Sequence, residues 1–311
     1  MRISFIAANF DALAELWNEV HPAKYRMDAE LMRMNTVGSP VFDWGASGIE
    51  VINGEVVGFV SVKRSAATLY RGLDADQSHL SAIAFKDASI GVDLLADAKK
   101  ILRNRGATRL VFGQDSRHFF PGLPSECRSL ADFLMVEGFT EGGEQVDLER
   151  DLKEYANPFP RPDLELRPVT GEDIPALEAF LRREFPGRWT FDVMFKVLSE
   201  PDPSCVFALF DEGGVEGFAL LQWDGSAAPI GGAVWRGDLG PSWGSLGPIG
   251  VSKNRRGRGE GNALLGAALE NLRNRGTRQC IIDWTTLVDF YGGHGFQVSR
   301  TYKSYSLAFG D

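Results

Sequence analysis

Five residues, Leu-Arg-Asn-Arg-Gly, occur twice in this chain, at 102–106 and at 272–276. Each copy closes an apolar helical pattern and leads into a strand-like run, ATRLVFG in the first case and TRQCIIDW in the second. The neighbouring pieces recur in one order. RISFIA followed by FDALAELWNEV reads as strand then helix, with Phe10, Leu13, Leu16, Trp17 and Val20 on one face; DLELRPVT and GEDIPALEAFLRREF answer it, with Asp173 near the helix start. A hairpin with a type I′ turn at Asn53-Gly54 is answered by CVFALFDEGGVEGFALLQW, so that Gly58-Phe59 matches Gly217-Phe218. The strand HLSAIAF matches GSLGPIGV. In the helices that follow, Leu94, Leu95, Ala98, Ile101 and Leu102 match the stripe Leu264, Leu265, Ala268, Leu269 and Leu272. LADFLMVEGF matches LVDFYGGHGF. A run of this length in register is a duplication. It predicts two domains of one α/β (α+β) fold, residues 1–152 and 163–311, with the proline-rich stretch 153–162 as linker.

Length and composition agree. The 311 residues suit two cores of about 150 residues each. A net charge of −9 argues against a nucleic-acid surface, which needs concentrated Lys and Arg. Cys127, Cys205 and Cys280 are far apart and lack metal-ligand spacing, so neither a disulfide framework nor a metal site is expected. No apolar run is long enough to span a bilayer, and the N-terminus does not read as a signal peptide. The expected setting is the reduced cytoplasm, with no membrane or nucleic-acid partner; oligomeric state is not legible.

The copies differ most between the matched strand and helix. The first has ten residues there, KDASIGVDLL, and the second has fourteen, SKNRRGRGEGNALL. Glycines let a backbone turn tightly with its N–H groups converging on one point. The helix that follows adds unsatisfied first-turn N–H groups and the positive end of its dipole. Arg256, Gly257, Arg258, Gly259, Glu260, Gly261 and Asn262 therefore read as a phosphate-binding loop. A P-loop would need Lys-Ser/Thr after the last glycine, where Asn262 and Ala263 stand. The glycine spacing does not fit the dinucleotide fingerprint either.

At these residues the second copy resembles the GNAT acetyltransferase superfamily. Its pyrophosphate pattern, Arg/Gln-x-x-Gly-x-Gly/Ala, is met by Arg256, Gly259 and Gly261 after a strand ending at Val251; a second signature is met by Phe290-Tyr291 ahead of Gly295-Phe296. The whole chain is similar to tandem-GNAT proteins, each domain a mixed, mostly antiparallel sheet flanked by helices. The resemblance implies that acetyl-CoA is the co-substrate. Ile249, Gly250 and Val251 would meet the pantetheine arm, the loop 256–262 would hold the pyrophosphate, and Tyr291 would protonate the departing thiolate. It further implies direct attack on the thioester by a primary amine of a small molecule or peptide. A non-catalytic acyl-CoA sensor is the alternative.

The first copy has neither the loop nor the tyrosine, whose register falls on Leu134, and is expected to be inactive. Where some family members carry a glutamate base, this chain has Ser245, leaving Asp283, Asp238 and Asp224 as candidates by strand order, or an ordered water. An asparagine common near the end of the next strand is replaced here by a position near Trp284. His294 lies close to Tyr291 in sequence, and the loop 117–127 either covers a cleft or bridges two elements.

Overall fold

The computed structural model describes residues 1–65, 76–160, 162–227, 229 and 234–310. The first copy supplies strands β1 (Arg2–Ile3), β2 (Gly48–Ile52), β3 (Glu55–Arg64), β4 (Gln77–Phe85), β5 (Arg109–Phe112), β6 (Leu123–Pro124) and β7 (Thr140–Asp151). The second supplies β8 (Glu165–Pro168), β9 (Val206–Asp211), β10 (Gly214–Trp223), β11 (Trp243–Val251), β12 (Gln279–Thr285) and β13 (Gln297–Ala308). In each copy the hairpin strands run antiparallel, and one parallel pair, β4 with β5 or β11 with β12, brackets the long helix Ala88–Asn104 or Glu260–Asn274.

The duplication holds at the level of packing. A Cβ at Gly58 would stand 2.6 Å from Ile90 and 3.0 Å from Leu94, and one at Gly217 would stand 3.2 Å from Leu264. Leu94 and Leu264 are matched residues, so the same glycine lets the same helix approach the same strand in both copies. Asn53 and Gly54 both have positive φ, +52° and +85°, as a type I′ turn requires.

Some local readings are corrected. The opening strand shrinks to Arg2–Ile3, because the Ser4 hydroxyl accepts from the Ile6 N–H and starts the 3-10 turn Phe5–Ala7. In the helix Phe10–Val20, capped by Asn9, the residues Phe10, Leu13, Leu16 and Trp17 are buried, while Val20 is 39% exposed. A helix not read from the sequence, Arg188–Ser199, follows Ile174–Glu184 and packs Val193 and Val197 against Phe180, Phe218 and Leu220.

The compact units do not change over at the proline-rich stretch. One unit ends at Gln145 and takes up the chain again from Thr301; the other runs from Val146 to Arg300. The cause lies in the last strand of each copy. In the first unit β5 is paired by Ser306, Leu307 and Ala308 of β13; in the second, β12 is paired by Val146 to Asp151 of β7. The stretch read as linker is also packed rather than free. Tyr155 is fully buried, the Asn157 N–H donates to Glu270, and the Asn157 side chain sits against Gly266 of the helix Glu260–Asn274. Among the described residues no helix is long and apolar enough to cross a membrane.

Deleting residues 301–311 should therefore unfold the first unit. Tyr302, Tyr305 and Phe309 are buried there, and at roughly 1.5–3 kcal/mol per large apolar side chain their loss approaches a domain's whole stability. Limited proteolysis should cut the first unit selectively; a fragment that melts and resists protease like the full chain would contradict this.

Candidate functional site

β11 and β12 pair over only three positions, Trp243 with Gln279, Gly244 with Cys280 and Ser245 with Ile281. Both strands then continue without each other, β11 to Val251 and β12 to Thr285. On its other edge β11 stays paired, since Phe218 faces Gly250 and Gly217 faces Val251 of the hairpin strand. The result is a wedge with one edge of β11 turned toward it. Ile249 and Val251 pack toward the core beneath the helix Glu260–Asn274. Gly250 faces the other way, under Phe185, whose ring would lie 2.4 Å from a Cβ there. What these three residues offer the wedge is thus backbone.

β11 leads into the 3-10 turn Lys253–Arg255 and then the glycine loop. Gly257 and Gly259 have φ of +79° and +80°, with nothing within 4 Å of a built Cβ, so their conformation demands glycine while their surroundings stay open. Gly259 is the N-cap of the helix Glu260–Asn274 and carries no side chain to satisfy the first-turn N–H groups. A Cβ on Gly261 would stand 3.8 Å from the Phe290 ring, and Asn262 follows with its Oδ1 lacking a partner among the described residues.

The two adjacent arginines divide the work. Arg255, absent from the sequence reading, turns inward and pairs with Asp211, Glu216 and Glu260. Arg256 and Arg258 stay exposed, Arg256 reaching back to the Val251 carbonyl at 3.4 Å. Glu260, read as a cofactor contact, is buried with its carboxylate on Arg255, which leaves its backbone N–H as its means of contact. The Ser252 N–H donates to the Glu216 carbonyl and its hydroxyl to the Glu216 carboxylate, fixing the loop's start.

The first unit shows what the loop replaces. There the matched helix is capped by Asp87, whose carboxylate accepts from the Ser89 N–H at 2.8 Å and from its hydroxyl at 2.6 Å. An anion built into the chain already occupies the position. The space beyond the last β4–β5 pair, Leu80 with Phe112, is filled by the chain itself. Asp115 meets the fully buried Lys63 at 2.5 Å and Ser81 at 3.0 Å, and Phe119 and Phe120 pack against Trp17. The loop 117–127 therefore begins as a plug of its own unit.

Tyr291 sits in the short helix Val288–Gly292, 6% exposed, between Phe290 and Phe296, just after the end of β12. Burial and the neighbouring Asp283 carboxylate push the phenol well above its ordinary range. It stays protonated, and so able to donate, at any working pH. Its counterpart Leu134 is fully buried and inert. Among the candidate carboxylates, Asp224 is exposed beside Trp243, at the end of β11 away from the wedge, and Asp238 is tied to Arg300. Asp283 stands in the wedge, its Oδ1 3.5 Å from where a Cβ of Gly247 would be. Next to it Trp284 adopts φ +48°, donates its N–H to Asp147 and lies under the Arg188 guanidinium at 4.2 Å.

Residues 174–296 match the model of the Acetyltransferase (GNAT) family. This segment is a GNAT domain. Over the whole chain, the fold is that of several solved acetyltransferase structures. A glucosamine N-acetyltransferase region of a fungal multi-domain GH3 beta-N-acetylglucosaminidase superposes with a TM-score of 0.83 at 21% identity, covering 99% of this chain and 38% of that one. A GCN5-related N-acetyltransferase from Sphaerobacter thermophilus gives 0.71 at 16% identity, covering 99% and 95%. A tandem GNAT protein from the clavulanic acid biosynthesis pathway gives 0.65 at 16%, covering 100% and 99%. The chain thus spans well under half of the first of these proteins. No curated protein sequence matches it.

Behind Tyr291 in the GNAT domain, His294 is fully buried, its Nδ1 2.8 Å from the Tyr155 hydroxyl and its ring against Phe159. Burial, helped by Arg150, lowers its pKa from 6.5 to about 4. Folding thus favours the neutral ring, whereas the unfolded chain takes up a proton below about pH 6.5. Stability should fall as pH drops from about 6.5 to 4, and His21, lowered to about 4 by burial in the first unit, acts in the same direction. His294→Gln should flatten this acid slope in pH-dependent unfolding, by roughly 1–2 kcal/mol once solvent screening is allowed for. An unchanged slope would exclude His294 as a source.

Proposed function

We propose that the GNAT domain transfers the acetyl group of acetyl-CoA to a primary amine of a small molecule or peptide, and that the first unit does not catalyse. The observation that carries the reading is the uncapped N-terminus of the helix Glu260–Asn274, reached through Gly257 and Gly259 at positive φ, beside a wedge edged by β11. First-turn backbone N–H groups with no side-chain cap suit a pyrophosphate, and a strand edge beside the wedge suits the two amides of a pantetheine arm. Arg256 and Arg258 add exposed positive charge at the rim. The amine attacks the thioester carbonyl, the C–N bond forms and the C–S bond breaks. Tyr291, kept neutral by burial, donates to the sulfur as charge develops there. Because a thiol is more acidic than a phenol, a hydrogen bond strengthening in the transition state is the useful contribution.

For the acceptor we favour an amino sugar. The Asp283 carboxylate stands in the wedge, its Oδ1 3.5 Å from a Cβ position on Gly247, and negative charge there suits a cationic amine. The fungal region named above is described as a glucosamine N-acetyltransferase.

Tyr291→Phe keeps the ring and removes only the donor. Acetyl-CoA affinity should change little, while turnover, followed by thiol release, falls by about 10²–10⁴. The fall should shrink for thioesters of better leaving thiols. Near-normal turnover would refute the role and shift weight to cofactor binding without catalysis.

A further inference from the structure

We propose that the first unit binds a free α-amino acid with an apolar side chain, in a pocket between the end of β4, the end of the helix Phe10–Val20 and the start of the helix Arg128–Val136. The proposal does not rest on acetyl transfer by the second unit.

The plug of the first unit leaves this space open at the far end of β4. Its volume is about 320 Å³, at the lower end of the roughly 300–1,000 Å³ of small-molecule sites, so it suits a ligand far smaller than coenzyme A. It stands where the second unit has its wedge. β4 loses its β5 partner after Leu80 yet continues to Phe85. In both units the last strand residues face the matched glycine and phenylalanine of the hairpin. Phe85 and Ala84 pair with Gly58 and Phe59, as Val251 and Gly250 pair with Gly217 and Phe218. In the second unit Phe185, the C-cap of the helix Ile174–Glu184, covers Gly250. The C-cap of the matched helix in the first unit is His21. A polar ring replaces a phenyl ring there.

His21 lines the pocket and is only 8% exposed. Its ring stacks on Trp17 at 3.9 Å, and its Nδ1 lies 3.1 Å from the Trp17 carbonyl. A carbonyl only accepts, so Nδ1 carries the proton and Nε2 is an acceptor, with no hydrogen-bond partner among the described residues. Burial keeps the ring neutral, and a buried acceptor calls for a donor from the ligand. The start of the helix Arg128–Val136 calls for the reverse. Cys127 caps this helix of 9 residues without a side-chain hydrogen bond. The Arg128 N–H donates to the Glu126 carbonyl and the Ala131 N–H to the Cys127 carbonyl. The N–H groups of Ser129 and Leu130 are left for an anion, with the exposed Arg128 guanidinium at the same end of the pocket. The Cys127 thiol, pushed up to about 12 by burial, puts no charge against that anion. The two carboxylates of the lining, Glu19 and Glu126, already hold Lys86 and Lys24. The rest of the wall is apolar, with Val20 and Ile83 in it. A carboxylate on the helix start, an ammonium N–H on His21 Nε2 and an apolar side chain against Val20 and Ile83 together describe one amino acid.

Calorimetric titration of the full-length protein with L-leucine tests this, with 4-methylpentanoate as the probe that lacks the ammonium and leucinol as the probe that lacks the carboxylate. Leucine should bind at one site per chain, and each truncated probe about tenfold or more weakly. Arg128→Ala, at an exposed position, should weaken leucine by about tenfold, with a smaller effect at high salt. His21→Phe installs the residue of the second unit, keeps a ring on Trp17 and removes only the acceptor; it should weaken leucine by a similar factor. Acetyl-CoA should neither compete with leucine nor bind differently to the two variants. No leucine binding at millimolar concentration, binding untouched by both substitutions, or displacement of leucine by acetyl-CoA would each overturn the proposal. Leucine binding to protein that takes up no acetyl-CoA would support it while overturning the acetyl-transfer reading.

Discussion

The structure turns on how two matched helices satisfy their first turns. A helix begins with N–H groups that have no partner inside it, and something must answer them. In the first unit Asp87 does so, with its carboxylate on the Ser89 N–H and hydroxyl. In the second the cap is Gly259, with no side chain, reached through a loop four residues longer. One helix has its anion built in; the other presents the same groups to whatever anion arrives. With the space beside β4 and β5 plugged by Asp115, Phe119 and Phe120, the same duplicated frame yields a filled unit and an open one.

An open helix start is useful only if held still. Arg255 joins the loop to the hairpin turn through Asp211 and to the helix through Glu260, while Glu216 binds both Arg255 and Ser252. Removing that guanidinium would leave three carboxylates close together with one charge less to hold them. On the far side, Asn157 lies on Gly266 and Phe159 on His294, so the stretch 155–159 braces both the loop helix and the Tyr291 helix. The wedge, the loop and the tyrosine are each fixed by neighbours within one compact unit.

Much of this was legible in the sequence, for reasons that differ by residue. The duplication could be read because the glycines that admit Leu94 and Leu264 sit at matched places in matched strands. The loop could be read because left-handed backbone at Gly257 and Gly259 leaves its trace as glycine. Other features leave no such trace. Arg255 and Arg256 are the same residue side by side, and only the fold turns one inward. An alternating strand looks the same whichever neighbour it pairs with, so the closing of β5 by β13 and of β12 by β7 was hidden. Prolines in the stretch 153–162 mark a break in regular structure but are silent on whether Tyr155 and Phe159 find a surface. Three candidate aspartates could not be ranked, because their ranking rests on where β11 and β12 part.

The central claim is that the second unit's helix start, and not the first unit's, receives the pyrophosphate. A crystal structure of the protein grown with acetyl-CoA tests it directly. The account predicts one molecule per chain, its pyrophosphate on the backbone N–H groups of residues 257–262 and its pantetheine arm along the edge of β11. A pyrophosphate bound at the start of the helix Ala88–Asn104, or a wedge beside β11 that stays empty at saturating acetyl-CoA, would contradict it.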